Sequence, residues 1–275
     1  MTENNLFKPT LMQKLLGRNY KLYYSISQGF KSNMIYRYNS IAWLLSSIVL
    51  VFGTLTVWYI NLNNNQNLTD FKYIFTYFVI GESFILNTSI QFNIGEDIEE
   101  GKFTNKLLLP TSFFQQYISR QFGHHLFENL AKMFLYLSIA LILNQFFIIS
   151  TFINLILFLI LAGIAYFINI FIGMIVGASA FWLTTFFGCA AFFDNLKLVI
   201  SGRYFPLNSL KFLTPLIYTP FAFTFYHPMQ IYLGKYSPVE IIYVFAGGIF
   251  WCFALYFLAK WVFKLGLKRN EAVGL

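Results

Sequence analysis

The 275-residue chain is strongly apolar, with 57% hydrophobic, 21% aromatic and only 11% charged residues. Soluble domains carry roughly 25% charged residues, so the composition excludes a soluble protein and predicts an integral membrane protein. The net charge is +8, but the basic residues stand at the ends of apolar segments, which is orientation information and does not imply a nucleic-acid partner. Both cysteines, Cys189 and Cys252, lie in apolar runs, which excludes a disulfide framework.

Residues 1–38 precede the first long apolar segment and are too polar to span a bilayer. Between residues 9 and 38, apolar side chains recur at helical spacing, with basic and amide side chains largely on the other faces. This pattern predicts an amphipathic helix in the plane of the lipid headgroups, with a solvated cytoplasmic helix as the alternative. Six basic residues before the first span predict a cytoplasmic N-terminus.

Residues 39–275 are predicted to form one all-α transmembrane domain of six spans. The spans are expected at about 41–60, 71–94, 122–147, 152–176, 181–200 and 239–263, each long enough to cross a bilayer at ~20 residues per helix. The loop at residues 61–70 has no Lys or Arg, whereas four basic residues lie at the end of the last span. Both termini are therefore expected in the cytoplasm, and we expect no cleaved signal peptide.

Residues 201–236 interrupt this series of spans. The segment is apolar and aromatic, but its four prolines leave no room for a straight span of about 20 residues. Irregular backbone at membrane depth has to be covered by protein or face water. We therefore predict an outer re-entrant hairpin of two short helices over this segment.

Ionisable residues inside the apolar segments are the first candidates for a transport path. Glu82 lies within the second predicted span, with Ser89 and Asn93 on roughly the same helix face, and Asp194 lies in the fifth span. Charged groups at that depth usually face the interior of a helix bundle or a water-filled path. A structural hydrogen bond between helices is the alternative role for Glu82.

The predicted cytoplasmic loop at residues 95–121 begins with a concentration of charge. Four of the eleven acidic residues fall within residues 95–110, followed by two lysines, an apolar run and a proline. So much charge in one loop of such an apolar chain predicts a docking site for a soluble partner, with a solvated loop as the alternative. The candidate partner-binding residues are Glu96, Asp97, Glu99, Glu100, Lys102, Phe103, Lys106, Leu107, Leu108 and Pro110.

Sequence patterns for catalysis or metal binding are weak or missing. The chain has no P-loop pattern for ATP and no HExxH pair for zinc, and no nucleophile–base pair stands out. His124, His125 and Glu128 share one stretch of helix, but a further ligand on the same side of the membrane is missing. We therefore expect no catalytic residues and no metal site in this chain.

The order of these features resembles the ABC-2 type transporter permeases, in their compact six-span branch. The similar segments are GEDIEEGKFTNKLLLP at residues 95–110, AFW at 180–182, GRYFP at 202–206, LTP at 213–215 and LGK at 233–235. The resemblance extends over essentially the whole chain. It implies a type V exporter-like fold in which the N-terminal helix is interfacial, residues 95–110 form the coupling helix, and the outer hairpin closes the exit.

The same resemblance implies a permease subunit in the bacterial cytoplasmic membrane that exports an amphiphilic substrate, such as a drug, lipid, peptide or glycoconjugate. The chain itself would bind no cofactor, because ATP and Mg²⁺ belong to two cytoplasmic ABC ATPase subunits, and a second identical or related permease would complete the complex. The candidate path residues are Glu82, Ser89, Asn93, Asp194, Arg203 and Tyr204. The alternative is a channel or ion-coupled carrier that works without an ATPase through Glu82 and Asp194.

Overall fold

The computed structural model describes residues 20–35, 37–63, 68–84, 88–107, 112–183, 185–209 and 211–273. These residues form ten α-helices and short 3₁₀ helices, and they contain no strand. The α-helices are α1 (Tyr20–Ile35), α2 (Arg37–Asn63), α3 (Leu68–Phe84), α4 (Ile90–Glu99), α5 (Lys102–Leu107), α6 (Phe113–Ile142), α7 (Phe152–Ala178), α8 (Phe186–Ile200), α9 (Tyr226–Tyr232) and α10 (Pro238–Val273).

Four helices of the described chain are long and apolar enough to cross a membrane. They are Leu44–Asn61 within α2, Phe113–Ile142, Phe152–Phe181 with its final 3₁₀ turn, and Pro238–Arg269 within α10. The all-helical membrane class is thereby confirmed, whereas the number of six spans stays a prediction. α6 begins at Phe113 instead of near residue 122, because Ser112 caps it by accepting the N–H of Gln115 at 3.3 Å.

The segment predicted as the second span, residues 71–94, forms two helices instead of one. α3 ends at Phe84 and α4 begins at Ile90, with Thr88 and Ser89 in non-helical conformation between them. The Ser89 N–H donates to Nε2 of His125 at 3.4 Å, because a buried backbone donor needs a partner where a helix stops. The fifth predicted span, 181–200, likewise corresponds to a shorter helix, since α8 has 15 residues.

α7 is the central helix and packs against α4, α9 and α10. A Cβ atom added at Gly173 or Gly177 would overlap Ile90 or Ile94 of α4, and one added at Gly95 of α4 would overlap the Phe186 ring of α8. Small residues let helix backbones approach closely within a membrane. These glycines therefore place α4 tightly between α7 and α8.

Residues 201–236 are irregular, as their prolines predict. The described part contains three 3₁₀ helices, Leu207–Ser209, Lys211–Tyr218 and Ala222–Thr224, followed by α9. Side chains of neighbouring helices bond to carbonyl groups of this segment: the Tyr77 hydroxyl donates to Gly202 at 2.7 Å, and Trp251 Nε1 donates to Tyr218 at 3.1 Å. The segment is thus held against α3 and α10 by hydrogen bonds to its backbone.

Candidate partner-binding hairpin and buried polar networks

α4 and α5 form a helical hairpin, residues 90–107, and this hairpin contains the charged stretch of the sequence. Its turn consists of Glu100 and Gly101, whose N–H groups donate to the carbonyls of Glu96 at 2.9 Å and Ile98 at 3.1 Å. Gly101 has φ of 70°, while a Cβ atom there would meet nothing within 4 Å. Glycine is favoured here by the left-handed backbone and not by lack of space.

One side of the hairpin is anchored to α6 through Asp97. Its Oδ2 atom accepts hydrogen bonds from the Lys106 ammonium group and from the Tyr117 hydroxyl. The Lys106 Nζ atom also lies 4.5 Å from the centre of the Tyr117 ring. Burial lowers the pKa of Lys106, and its hydrogen bond to Asp97 opposes that shift. The three groups tie both helices of the hairpin to the bundle.

Phe103 is the second anchor, with an exposed fraction of 1%. The centre of its ring lies 4.7 Å from that of Phe113, 5.3 Å from that of Phe181 and 6.2 Å from that of Phe263. Each aromatic pair of this kind contributes about 0.5–1.5 kcal/mol beyond the area it buries. Phe103 therefore joins α5 to α6, α10 and the turn after α7.

The opposite side of the hairpin is exposed. Glu96, Glu100, Lys102 and Leu107 are exposed to the surroundings of the chain. Lys102 pairs with Glu100, which raises the pKa of Lys102 through a hydrogen bond and its charge. Because both groups are largely exposed, this ion pair adds little to stability. The exposed side therefore carries net negative charge and one large apolar residue.

Glu99 is exposed but has a structural bond of its own. Its Oε1 atom accepts the N–H of Phe186 at 3.0 Å, and Phe186 is the first residue of α8. A carboxylate suits this position, since the first N–H groups of a helix have no partner inside the helix. The predicted partner-binding residues thus divide into anchoring and exposed groups, while Leu108 and Pro110 lie outside the described residues.

Glu82 and Arg203 form a buried ion pair. Arg203 Nε lies 2.5 Å from Oε1 of Glu82, and Arg203 Nη2 lies 2.6 Å from Oε2. This two-point geometry is the strongest that arginine makes with a carboxylate. Lys132 of α6 interacts electrostatically with both partners. The pair connects α3 to the irregular segment that follows α8.

Ser89 and Asn93 belong to a different network, centred on His125 of α6. Gln121 accepts from Asn93 Nδ2 at 3.0 Å, donates to Ser89 Oγ at 3.3 Å, and contacts His125 Nε2. Because the Ser89 N–H donates to Nε2 of His125, the hydrogen of the ring is on Nδ1, which donates to Glu128 at 3.1 Å. The break between α3 and α4 separates this network from Glu82.

The ligand atoms of His124, His125 and Glu128 lie within 4.8 Å of one another, close enough for a metal ion. The side chains of His125 and Glu128 already form hydrogen bonds within the protein. All three groups come from one turn of α6, and among the described residues no fourth protein ligand of the kind found in structural zinc sites lies with them. The structure therefore gives this cluster a structural role, and the absence of a metal stays a prediction.

Asp194 is apart from both networks. It pairs with Lys197 of the same helix at 2.9 Å, and Lys197 is buried. Glu82 and Asp194 thus have separate cationic partners, Arg203 and Lys197, and the structure does not bring the two carboxylates together. Tyr204 is half-buried and lines a cavity of about 520 Å³ against α2.

The sequence interpretation missed the part that α6 plays in these contacts. Tyr117, Gln121, His125, Glu128 and Lys132 recur at intervals of three or four residues, which places them on one face of the helix. Each of them contacts or interacts electrostatically with a candidate residue or another member of this series. The spacing of polar residues in an otherwise apolar span is the signal that indicates this polar face.

Comparison with known proteins gives a family but no individual relative. The family described as ABC-2 family transporter protein matches residues 48–274, a region that includes the hairpin, Glu82, Arg203 and the polar face of α6. No curated protein and no solved structure matches the chain. The family is one of transporter membrane subunits that work with ABC ATPases, and the apolar helices described above agree with a multi-pass membrane protein. The chain belongs to the ABC-2 family of transporter proteins.

Proposed function

We propose that the chain is the membrane-spanning permease of an ABC exporter that moves an amphiphilic substrate, such as a drug, lipid, peptide or glycoconjugate, out of a bacterial cell. ATP hydrolysis takes place in two separate cytoplasmic ATPase subunits. The permease acts as a homodimer or together with a related permease, in the cytoplasmic membrane, with both of its termini in the cytoplasm.

The observation that carries this proposal is the two-sided character of the hairpin. Asp97 and Phe103 hold one side firmly against the bundle, while Glu96, Glu100 and Leu107 face outward. An element that receives movement from a partner has to be rigidly joined to the part that it moves. The net negative charge of the exposed side favours a partner groove lined by basic residues, because charge complementarity speeds and orients docking.

The transport path in this proposal runs along α3, α4 and α6. The Glu82–Arg203 pair and the network of Ser89, Asn93 and His125 supply polar groups within the apolar bundle, and such groups commonly mark a path. Tyr204 follows Arg203 directly. Asp194 belongs to neither the ion pair nor this network, and it is included in the path only because it is an acidic residue within the fifth predicted span.

Co-purification tests the proposal. The chain carries an affinity tag, is extracted from membranes in mild detergent, and is searched for a bound protein with a P-loop. The Glu96 and Glu100 carboxylates are exposed and bear no bond to the bundle, so the double variant Glu96→Lys with Glu100→Lys should keep its fold. We expect it to recover roughly tenfold less ATPase, because reversed charges facing a basic groove weaken docking by more than about 1.4 kcal/mol. Asp70→Lys is the matched control, since Asp70 is an exposed carboxylate in the first turn of α3.

Equal recovery of the ATPase with the double variant would overturn the role of the hairpin. If no ATPase is recovered with the natural chain, the proposal that the chain is part of an ABC exporter is contradicted. Transport driven by an ion gradient in vesicles that hold this chain alone would favour the alternative, an ATPase-independent channel or carrier that uses Glu82 and Asp194.

A further inference from the structure

A cavity with two adjoining lobes lies between α1, α3, α6 and α7. The wide lobe has a volume of about 610 Å³, and the narrow lobe has a volume of about 140 Å³. The wide lobe is lined by residues that include Leu22, Ile26, Ile118, Leu159, Gly163 and Phe167. Phe84, Phe122 and Tyr166 line both lobes. Glu82 and Arg203 line neither lobe, so the cavity is distinct from the ion pair.

Tyr166 gives this apolar cavity a polar point. The residue has an exposed fraction of 5%, and its hydroxyl group has no hydrogen-bond partner among the described residues. A buried hydroxyl without a partner is costly, and the bilayer interior offers no water to supply one. Two other polar groups of the narrow lobe are already bonded: Ser83 donates to the Val79 carbonyl at 2.6 Å, and His125 belongs to the network described above.

The position of Tyr166 near the middle of α7 limits which kinds of ligand can bring a hydrogen-bond acceptor to its hydroxyl group. Tyr166 lies 14 residues after the first residue of α7 and 12 residues before the last, which corresponds to about 21 Å and 18 Å of helix. A phospholipid keeps its ester carbonyls near the headgroups and so would not reach this point. No Asp, Glu, Lys or Arg side chain lines the described walls of either lobe, so the cavity offers no counter-charge to a charged headgroup.

We propose that this cavity binds an uncharged lipophilic carbonyl compound that is dissolved in the bilayer. Its apolar chain occupies the wide lobe, and its carbonyl oxygen accepts a hydrogen bond from the Tyr166 hydroxyl. Asn129 also lines the narrow lobe, and its side-chain amide offers a second hydrogen-bond donor to the ligand. The wide lobe is of the size usual for small-molecule sites, about 300–1,000 Å³. This inference concerns binding by the chain alone and does not depend on an ATPase partner.

Photolabelling tests the proposal with the full chain in phosphatidylcholine nanodiscs. The probe is a long-chain methyl ketone with a diazirine at the far end of its alkyl chain, and labelled peptides are mapped by mass spectrometry. We expect the label on α6 and α7 around the cavity, with competition by the unlabelled ketone but not by an alkane of the same length. Tyr166→Phe should weaken the competition roughly fivefold, the effect of one hydrogen bond of about 1 kcal/mol.

A second variant keeps the test decisive if Tyr166→Phe does not fold. A Cβ atom at Gly163 meets nothing within 4 Å, so Gly163→Phe should fill the wide lobe without a backbone clash and abolish labelling. Gly188→Phe is the matched control, because Gly188 of α8 is equally open and lines neither lobe. Equal competition by the alkane, or labelling unchanged in Gly163→Phe, would show a general lipid-facing groove and overturn the proposal.

Discussion

Arg203 donates two hydrogen bonds to the two carboxylate oxygens of Glu82, although the two residues are 121 positions apart in the chain. Glu82 has an exposed fraction of 4%, so water does not take the place of Arg203, and the nearby Lys132 interacts with Glu82 electrostatically without an ion-pair contact. A buried charge that loses its partner is far more costly than a pair that is removed as a whole. The pair therefore controls how the irregular segment after α8 is held against α3.

We expect Glu82→Gln to destabilise the protein by about 3–5 kcal/mol, because Arg203 is left buried without a counter-charge. The double variant Glu82→Gln with Arg203→Gln should regain a large part of that loss. Arg203→Lys keeps the charge but cannot make two parallel bonds, so its effect should be intermediate. Thermal unfolding in detergent measures the series, and a double variant that is no more stable than Glu82→Gln would contradict the assignment.

Gly101 offers a test of the hairpin turn. Its φ of 70° lies in the left-handed region, so Gly101→Ala should cost about 1–2 kcal/mol, whereas Gly101→Asn should cost less because asparagine tolerates this conformation. Hydrogen exchange of residues 90–107 should become faster in Gly101→Ala. Gly188→Ala serves as the control, since Gly188 is helical and open. Similar exchange rates for Gly101→Ala and the natural chain would refute the role of the turn.

The contact between α1 and α6 depends on two glycines. A Cβ atom at Gly29 would overlap the Arg120 carbonyl group, and one at Gly123 would overlap the Ile26 carbonyl group. Backbone cannot move aside as a flexible side chain does, so Gly29→Ala and Gly123→Ala should each cost about 1–3 kcal/mol. Both variants should speed hydrogen exchange in α1. Gly163→Ala is the control in open space, and unchanged protection of α1 in all three would disprove this contact.

Tyr117→Phe removes one of the two hydrogen bonds that hold Asp97. A hydrogen bond to a charged group contributes about 1.5–3 kcal/mol, so we expect a lower unfolding temperature and faster proteolysis within the hairpin. Tyr243→Phe provides the comparison, because Tyr243 is exposed on α10. If the two variants lose the same stability, the Tyr117 hydroxyl does not anchor the hairpin.

Features that depend on local composition were predictable from the sequence. The all-α membrane class follows from long runs of apolar residues, and the irregular backbone at 201–236 follows from four prolines close together in the chain. The assignment of Glu82, Ser89 and Asn93 to one helix face was wrong for a local reason. It assumed a continuous helix, and the helix stops between Phe84 and Ile90.

The partners of the buried charges were not predictable in the same way. Glu82 was recognisable as an unusual residue, but its choice of Arg203 depends on how the segment after α8 returns to α3. Glu128 and Lys132 have the spacing of a helical ion pair, yet the structure bonds Glu128 to His125. Helical periodicity shows which side chains lie close enough to Glu128 to bond to it, and the packing of the helices determines which of them does.

The glycines around α4 determine how much room that helix has. Gly95 faces the Phe186 ring of α8, while Gly173 and Gly177 of α7 face Ile90 and Ile94, and at each point less than one methyl group of free space remains. α4 therefore cannot rotate or shift sideways without displacing α7 and α8 together. Any force on the exposed carboxylates of the hairpin is therefore passed to two neighbouring helices, α7 and α8, and not to one alone.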